Sequence, residues 1–342
     1  MGMARLSNLF RTGDGGTSGP DARIICRPAA RPEIEPALRL LLADDNGLAG
    51  DEAVLDFLSF AVHRKIDTNA IWVAEQARRI VWAILPIVSP GRTMLLFTSG
   101  RLPHQTPPHA VRLLADALCR YYGAGSRPVA LAQLLLDPAD QTIGDLYRRT
   151  GFEELAELIY LQKSVKRGAE FEPLSEAWEL VNYSPESHAL FAETIVRSYE
   201  GSLDCPALNG RRHVEDVVAG HKATGLFDPA MWFALRDRAG GSVHAVLLLN
   251  PTAAANSVEL VYLGLVPAAR GKRIGDALMR LAVAETARRE FTELSLAVDA
   301  RNAPALRLYH RHGMRHVGTR LALVRDLRAP RESVAAERDV VR

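Results

Sequence analysis

Cysteine is scarce in this 342-residue chain: Cys26, Cys119 and Cys205 are odd in number and scattered. That excludes a disulfide framework and a thiolate metal site, and it fits a reduced cytoplasmic setting. Long apolar runs are missing too. Nothing approaches the ~20 residues needed to span a bilayer, and the N-terminus lacks the apolar core of a signal peptide. Excess charge is absent: a formal net charge of +2 is too small to imply nucleic-acid binding by charge alone. His310, His312 and His316 stand in no carboxylate pattern that would hold a metal, and read as a solvated helix end. No Gly-Lys-Ser/Thr sequence follows the chain's basic glycine turn, which argues against a nucleotide P-loop.

What is present is the composition of a soluble globular protein, 48% hydrophobic and 24% charged, long enough for two domains. Met1–Pro20, with its GDGGTSG run, reads as a flexible leader, 164–174 as a linker without clear period, and 328–342 as a solvated tail. Between them the same order of elements occurs twice. Strand-like 23–27 leads to helical 32–43 and 51–65, then strands over 71–75, 80–88 and 94–98. Helical 110–122, strand 129–136, helical 142–150 and strand 156–162 complete that half. In the second half, helices over 186–199 and 213–223 precede strands over 231–235, 243–249 and 258–265. A helix to about Arg289, a strand over 294–299, a helix over 303–312 and a strand over 318–324 follow. Two local echoes support duplication: Ala70-Ile71-Trp72-Val73-Ala74 with Ala230-Met231-Trp232-Phe233-Ala234, and Leu146-Tyr147 through Gly151-Phe152 with Leu308-Tyr309 through Gly313-Met314. Their offsets of roughly 160 residues mean duplicated domains rather than a solenoid.

The most informative stretch is Val258–Asp276. Its β-branched and aromatic first half reads as a buried strand. A basic turn follows, with Gly271 and Gly275, and then a helix whose Ile274, Ala277, Leu278 and Leu281 share one face. Strand, glycine turn and helix N-terminus aim unpaired amides and a partial positive charge at an anion. Arg270, Lys272 and Arg273 add full charges there.

Arg270-Gly271-Lys272-Arg273-Ile274-Gly275 resembles the pyrophosphate turn Gln/Arg-x-x-Gly-x-Gly/Ala of the GNAT superfamily of N-acetyltransferases, with Arg273 in place of the middle glycine. That arginine either hinders a close backbone approach or adds a charge-assisted contact. Asn302, Ala305, Leu308, Tyr309 and Gly313 match a C-terminal element of the same family. The resemblance implies an α/β fold, an α+β mixed sheet built as two tandem GNAT-like domains, each a mostly antiparallel central sheet flanked by helices. The expected domains are 21–163, degenerate, and 175–327, catalytic. The tandem order is also similar to that of mycothiol synthases, in which one of two such domains is usually degenerate.

The same resemblance implies acetyl-CoA as co-substrate and no metal. The edge at Leu263-Gly264-Leu265 would pair with the pantetheine arm, with a bulge expected at Gly264. Ile274, Gly275 and Asp276 would open the anion-binding helix. Asn302 and Arg307 would lie near the cofactor, although Asn302 also suits a helix N-cap. Glu259, four residues before Leu263, is expected on the same sheet face by alternation. The family often places its base there, and a lysine-like ammonium near pKa ~10.4 must lose a proton before attack. Tyr309 resembles the family's thiolate-protonating tyrosine, a role open to a phenol of pKa ~10. The alternative for it is core packing, as for Tyr147 in the first half.

The first half, reading Thr98-Ser99-Gly100-Arg101-Leu102-Pro103-His104 at the turn position, has no equivalent loop and no glutamate over 94–98. Ser202–Arg212 is a polar link that either shapes an acceptor pocket or is a capped connecting loop, and its Cys205 has no identifiable base for covalent chemistry. The resulting expectation is an N-acetyltransferase acting on a small-molecule or peptide amine. No nucleic-acid or membrane partner is expected, and the chain would be a monomer or homodimer. The rival is a non-catalytic acyl-CoA sensor or scaffold, which would need neither Glu259 nor Tyr309.

Overall fold

The computed structural model describes residues 23–44, 47–126, 128–166, 168, 175–252 and 256–328. The expected leader lies outside them, as do most of the expected linker and tail. In the first half run β1 (Ile25–Pro28), α1 (Ile34–Leu41), α2 (Asp51–Arg64), β2 (Trp72–Gln76), β3 (Arg79–Ser89), β4 (Thr93–Phe97), α3 (Pro108–Gly123), β5 (Leu131–Leu136), α4 (Gln141–Arg148) and β6 (Glu153–Ser164). The second half repeats that order with β7 (Trp178–Asn182), α5 (His188–Ser198), α6 (Val214–Ala223), β8 (Trp232–Asp237), β9 (Val243–Pro251), β10 (Ser257–Leu265), α7 (Ile274–Arg288), β11 (Glu293–Asp299), α8 (Ala303–Arg311) and β12 (Arg315–Asp326). Sequence periodicity anticipates these elements except β7. That five-residue edge strand buries neither face fully, so it carries no clean alternation.

The strands form one sheet in the order β1-β2-β3-β4-β5-β12-β6-β11-β10-β9-β8-β7. The closing strands are exchanged. β12, from the end of the chain, pairs antiparallel with β5 of the first half, while β6 pairs antiparallel with β11 of the second. β6 and β12 then pair with each other antiparallel from Arg315↔Gln162 to Val324↔Glu153. The sequence boundary between 21–163 and 175–327 therefore marks the repeat, whereas each spatial unit takes its sixth strand from the other half.

Because an antiparallel seam joins the halves, corresponding helices fall on the same side of the sheet. Thr319 of β12 pairs with Ile159, which packs under α7 and α8. Two and four residues further along β12, Leu321 and Leu323 pack with α3 and α4. On the other face α1 and α2 cover one end of the sheet and α5 and α6 the other. The link after α5 lays Cys205 and Leu208 over Leu155, Ala156, Ala322 and Val324 at the seam.

The exchange has an energetic consequence. Leu323 is fully buried among Trp82, Met94 and Leu134 of the first half, although it lies near the C-terminus. Leu323→Ala should cost about 2–5 kcal/mol and should deprotect β3–β5 amides in native-state hydrogen exchange. Loss of protection confined to the second half would contradict the exchange.

Candidate active site

The site forms where β10 and β11 part. They pair in parallel only from Ser257↔Glu293 to Glu259↔Ser295, although β10 continues to Leu265 and β11 to Asp299. Beyond that point the strands bound a cleft of about 1130 Å³, lined by Leu260–Leu265 on one wall and Ala297 and Val298 on the other. The unpaired edge of β10 offers backbone amides and carbonyls to an extended ligand, as an exposed strand edge does. The cleft passes through the sheet, so groups from both faces reach it.

At its mouth the chain turns into α7. Gly271 (φ 74°) and Arg273 (φ 58°) both adopt the left-handed conformation, and Arg273 is the N-cap of α7 without a side-chain cap. The first-turn amides of Ile274, Gly275 and Asp276 thus face the cleft at the positive end of the helix. Arg273 answers the substitution seen in the sequence: it takes the positive φ that a glycine would adopt freely, at a cost of roughly 1–2 kcal/mol. Gly275 lets α7 approach α8, since a Cβ there would lie 3.2 Å from a Leu308 methyl. Asp276 accepts bonds from Arg311 (3.0 Å) and His312 (3.1 Å). Burial works against its charge, but the bonds from the Arg311 guanidinium and the His312 ring outweigh it and hold the carboxyl below its usual range.

Several expected positions line this cleft: Leu263, Gly264, Leu265, Arg270, Gly271, Arg273, Ile274, Gly275, Asp276, Asn302 and Tyr309. Asn302 also caps α8, accepting from the Ala305 amide at 3.3 Å, so capping and cleft lining coincide. Three expected positions have surroundings of their own. Arg270 spends its guanidinium on the carbonyls of Ser198 (2.9 Å), Gly201 (3.2 Å) and Leu265 (3.2 Å), tying the end of α5 to the turn. Lys272 and Arg307 are exposed and stand outside the cleft lining.

The expected bulge at Gly264 also moves. The register of β10 on β9 shifts between Leu260 and Tyr262, making Val261 the extra residue, while Gly264 pairs regularly with Val246. Gly264 is required for another reason: a Cβ there would fall 2.5 Å from the Tyr262 ring and 2.6 Å from the Ser198 hydroxyl. The bulge reverses the alternation, so Glu259 does not share a face with Leu263. Leu263 and Leu265 pack toward α7. Glu259 lies on the opposite face with Tyr262, toward α5 and α6. It stands outside the cleft lining, and burial raises its carboxyl pKa, opposed by Arg64 of α2.

Tyr309 enters from the α8 side, 7% exposed at the cleft wall. Burial first, and then the charge of Asp204, push its phenol well above its usual range. Tyr147, its counterpart, is wholly buried edge-on against Phe152 at 5.5 Å, a packing role.

Sequence reasoning singled out the link after α5 without finding its key residue. Asp204 lines the cleft and accepts a bond from the Asp299 amide at 3.3 Å. Asp299 is fully buried and holds the link in place: its carboxylate accepts from the Cys205 amide (3.1 Å), the Arg301 amide (2.9 Å) and the Arg301 guanidinium (2.7 Å). Cys205 itself is strained at φ 44°. Burial, with Asp204 and Asp299 nearby, pushes its thiol up to about 12, which rules against a thiolate nucleophile. No sequence signal marks Asp204, because its partner Asp299 lies on a distant strand.

In the first half a Cβ on Gly100 would lie 1.9 Å from a carboxylate oxygen of Asp140, so this acid fills the place beside the corresponding turn. α3 begins with Pro108 behind Pro107, removing amides that would face an anion. Among the described residues no cluster of His, Cys, Asp or Glu is able to hold a metal. No helix among them is long and apolar enough to cross a membrane.

Comparison with known proteins agrees with this geometry. Residues 204–314 match the acetyltransferase (GNAT) family. A GCN5-related N-acetyltransferase from Sphaerobacter thermophilus superimposes with TM-score 0.56 at 16% identity, covering 91% of this chain and 98% of that one. A GCN5-related glucosamine N-acetyltransferase region of a fungal multi-domain beta-N-acetylglucosaminidase gives the same score and identity over 88% of this chain and 38% of that one. At such identities the likeness establishes the fold. No curated protein sequence matches the chain.

Two outcomes test the site as built. Gly264→Ala should displace Tyr262 and Ser198 and destabilise the fold by about 1–3 kcal/mol, measured by thermal unfolding. Unchanged stability would mean that the close approach at Gly264 is not needed. The acid response follows from Asp299. Burial raises its pKa, but the bonds from Arg301 and the Cys205 amide outweigh that and depress it. Its contribution is therefore complete above the unfolded value of about 3.9 and lost as pH falls through the lower folded value. The Cys205 amide should keep its exchange protection at about pH 4 in wild type and lose it only as pH falls further, through the depressed folded value, whereas Asp299→Ala should lack it already at neutral pH.

Proposed function

We infer that this chain, which carries a GNAT-family acetyltransferase domain over residues 204–314, moves an acetyl group from acetyl-CoA to a primary amine in its second half. The observation that carries the reading is the parting of β10 from β11 beside the uncapped N-terminus of α7. The amides of Ile274–Asp276 suit a pyrophosphate, and the free edge at Leu263–Leu265 suits a pantetheine arm. The two binding features lie in one cleft with Tyr309 on its wall. Acetyl-CoA supplies the activated thioester carbonyl. In the first half Asp140 fills the space beside the corresponding turn and prolines remove amides at the start of α3, which supports assigning catalysis to the second half.

The residues then divide the chemistry. Strand amides near Leu263–Leu265 polarise the carbonyl. Glu259, desolvated on the acceptor face, takes the ammonium proton through water, since it stands back from the cleft. The amine nitrogen attacks the carbonyl carbon, the carbon–nitrogen bond forms, the nitrogen's second proton leaves to water and the carbon–sulfur bond breaks. Tyr309 delivers a proton to the departing thiolate and is reprotonated from solvent. The raised pKa of Glu259 brings a carboxylate closer to the proton affinity a base needs, and a sensor would require neither residue.

Acetyl-CoA at about a hundred times its Kd should stabilise the chain by ~2.7 kcal/mol in thermal unfolding; no shift at millimolar concentration would sink the reading. Glu259→Gln and Tyr309→Phe should each cut turnover roughly 10²-fold or more, with acetyl-CoA affinity nearly unchanged. Free-thiol release across an amine panel measures this, and undiminished rates in both variants would retire the assignments.

A further inference from the structure

We propose that Asp204 anchors the cationic ammonium of the acceptor, so that the second half selects alkylamines that arrive protonated over neutral amines of the same shape. The inference rests on the acetyl-transfer reading of this cleft and adds the residue that recognises the acceptor.

Three observations converge on Asp204. The first is position. Tyr309 enters the cleft from the α8 side of the sheet, and Asp204, on the link after α5, enters from the other. An acceptor approaching from the α5 side meets Asp204 before it reaches the polarised carbonyl. The second is charge. Two carboxyls lie together here, but only one is neutralised. Asp299 is satisfied by Arg301 and by two backbone amides. Among the described residues, the Asp204 carboxylate accepts a single bond, from the Asp299 amide, and has no ion pair. A carboxylate kept largely from water without a cation is costly, and a ligand ammonium would relieve that cost.

The third observation is the wall around it. Tyr262 lines the same cleft, with its hydroxyl held by Ser198 at 2.8 Å. Tyr199 stands edge-on to it at 6.1 Å. Aromatic faces beside a carboxylate attract an alkylammonium by cation–π as well as ionic contact. His221 stacks on Tyr262 at 5.3 Å, and burial lowers its pKa to about 3, with Arg212 adding to the effect. It therefore puts no competing positive charge there at neutral pH. The link is also built to hold one geometry, since Cys205, next in sequence, is strained and pinned to Asp299. Strain held in place by a buried carboxylate suits a positioning element better than a passive connection.

The test uses the full chain with phenethylamine as the cationic probe and 2-phenylethanol as the neutral one, titrated calorimetrically in the presence of CoA. Wild type should bind the amine and prefer it to the alcohol by at least tenfold. Asp204→Asn, which keeps the acceptor oxygen for the Asp299 amide, should lose that preference and bind the amine at least tenfold more weakly. If the Asn variant fails to fold, competition in wild type decides: tetramethylammonium should displace phenethylamine, and no displacement overturns the inference. Equal amine affinity in wild type and Asp204→Asn overturns it too, as does wild type binding CoA but not the amine. Those results would leave the acetyl-transfer reading standing, whereas failure of wild type to bind CoA would remove that reading itself.

Discussion

The antiparallel pairing of β6 with β12 is the contact on which the rest of the molecule depends. Each strand has twelve residues and lies between a strand of its own repeat's partner and the other closing strand. Removing either would leave β5 or β11 with an open edge and the seam unpaired, and a bare strand edge is an aggregation hazard. Exchange turns a tandem repeat into one cooperative body. It also keeps corresponding helices on corresponding faces, so each half keeps its own cleft beside a shared sheet. The halves touch beyond the sheet as well: Gly91, in the β3–β4 turn, sits so close to α6 that a Cβ would fall 2.1 Å from the Asp216 carbonyl oxygen.

The cleft is made by a failure of pairing rather than by an added element. Parallel strands β10 and β11 share only three residue pairs before they separate. The Val261 bulge falls where they part and adds local twist to β10. The gap leaves backbone hydrogen-bonding groups without strand partners, which is unfavourable in a buried strand unless water or a ligand serves them. Next to it the left-handed Gly271 and Arg273 turn the chain so that the positive end of α7 meets the same opening. Arg270 lines the cleft and is held by neighbouring carbonyls. It clamps the end of α5 to this turn through three carbonyls, fixing the two walls relative to each other.

Electrostatics separate the two halves more sharply than shape does. Both have the frame of strands, turn and helices, and both have a cleft beside the turn. In the first half Asp140 occupies the space beneath Gly100, and α3 opens on prolines. In the second half the equivalent helix cap is neutral Asn302, and α7 opens on free amides. An acid stands in the first half where the second has an amide, and proline replaces residues with an N–H, so the free amides that open α7 have no counterpart at α3.

The sequence by itself determined the local elements, the duplication and the anion-binding turn, because these are written in periodicity, glycine placement and chain-local spacing. It also marked Tyr309 and Asn302, whose surroundings are set within one helix and its cap. It misjudged what depends on register: one bulged residue, Val261, moved Glu259 to the opposite face from Leu263, and alternation alone carries no sign of such an insertion. The role of Arg270 was hidden because its three carbonyl partners belong to other elements. Only the tertiary structure decided the exchange of β6 and β12, since both strands have the same pattern and either would satisfy the edge of β5 locally. Only it brought Asp204 to the cleft, because the carboxylate that fixes the link, Asp299, lies 95 residues further along the chain.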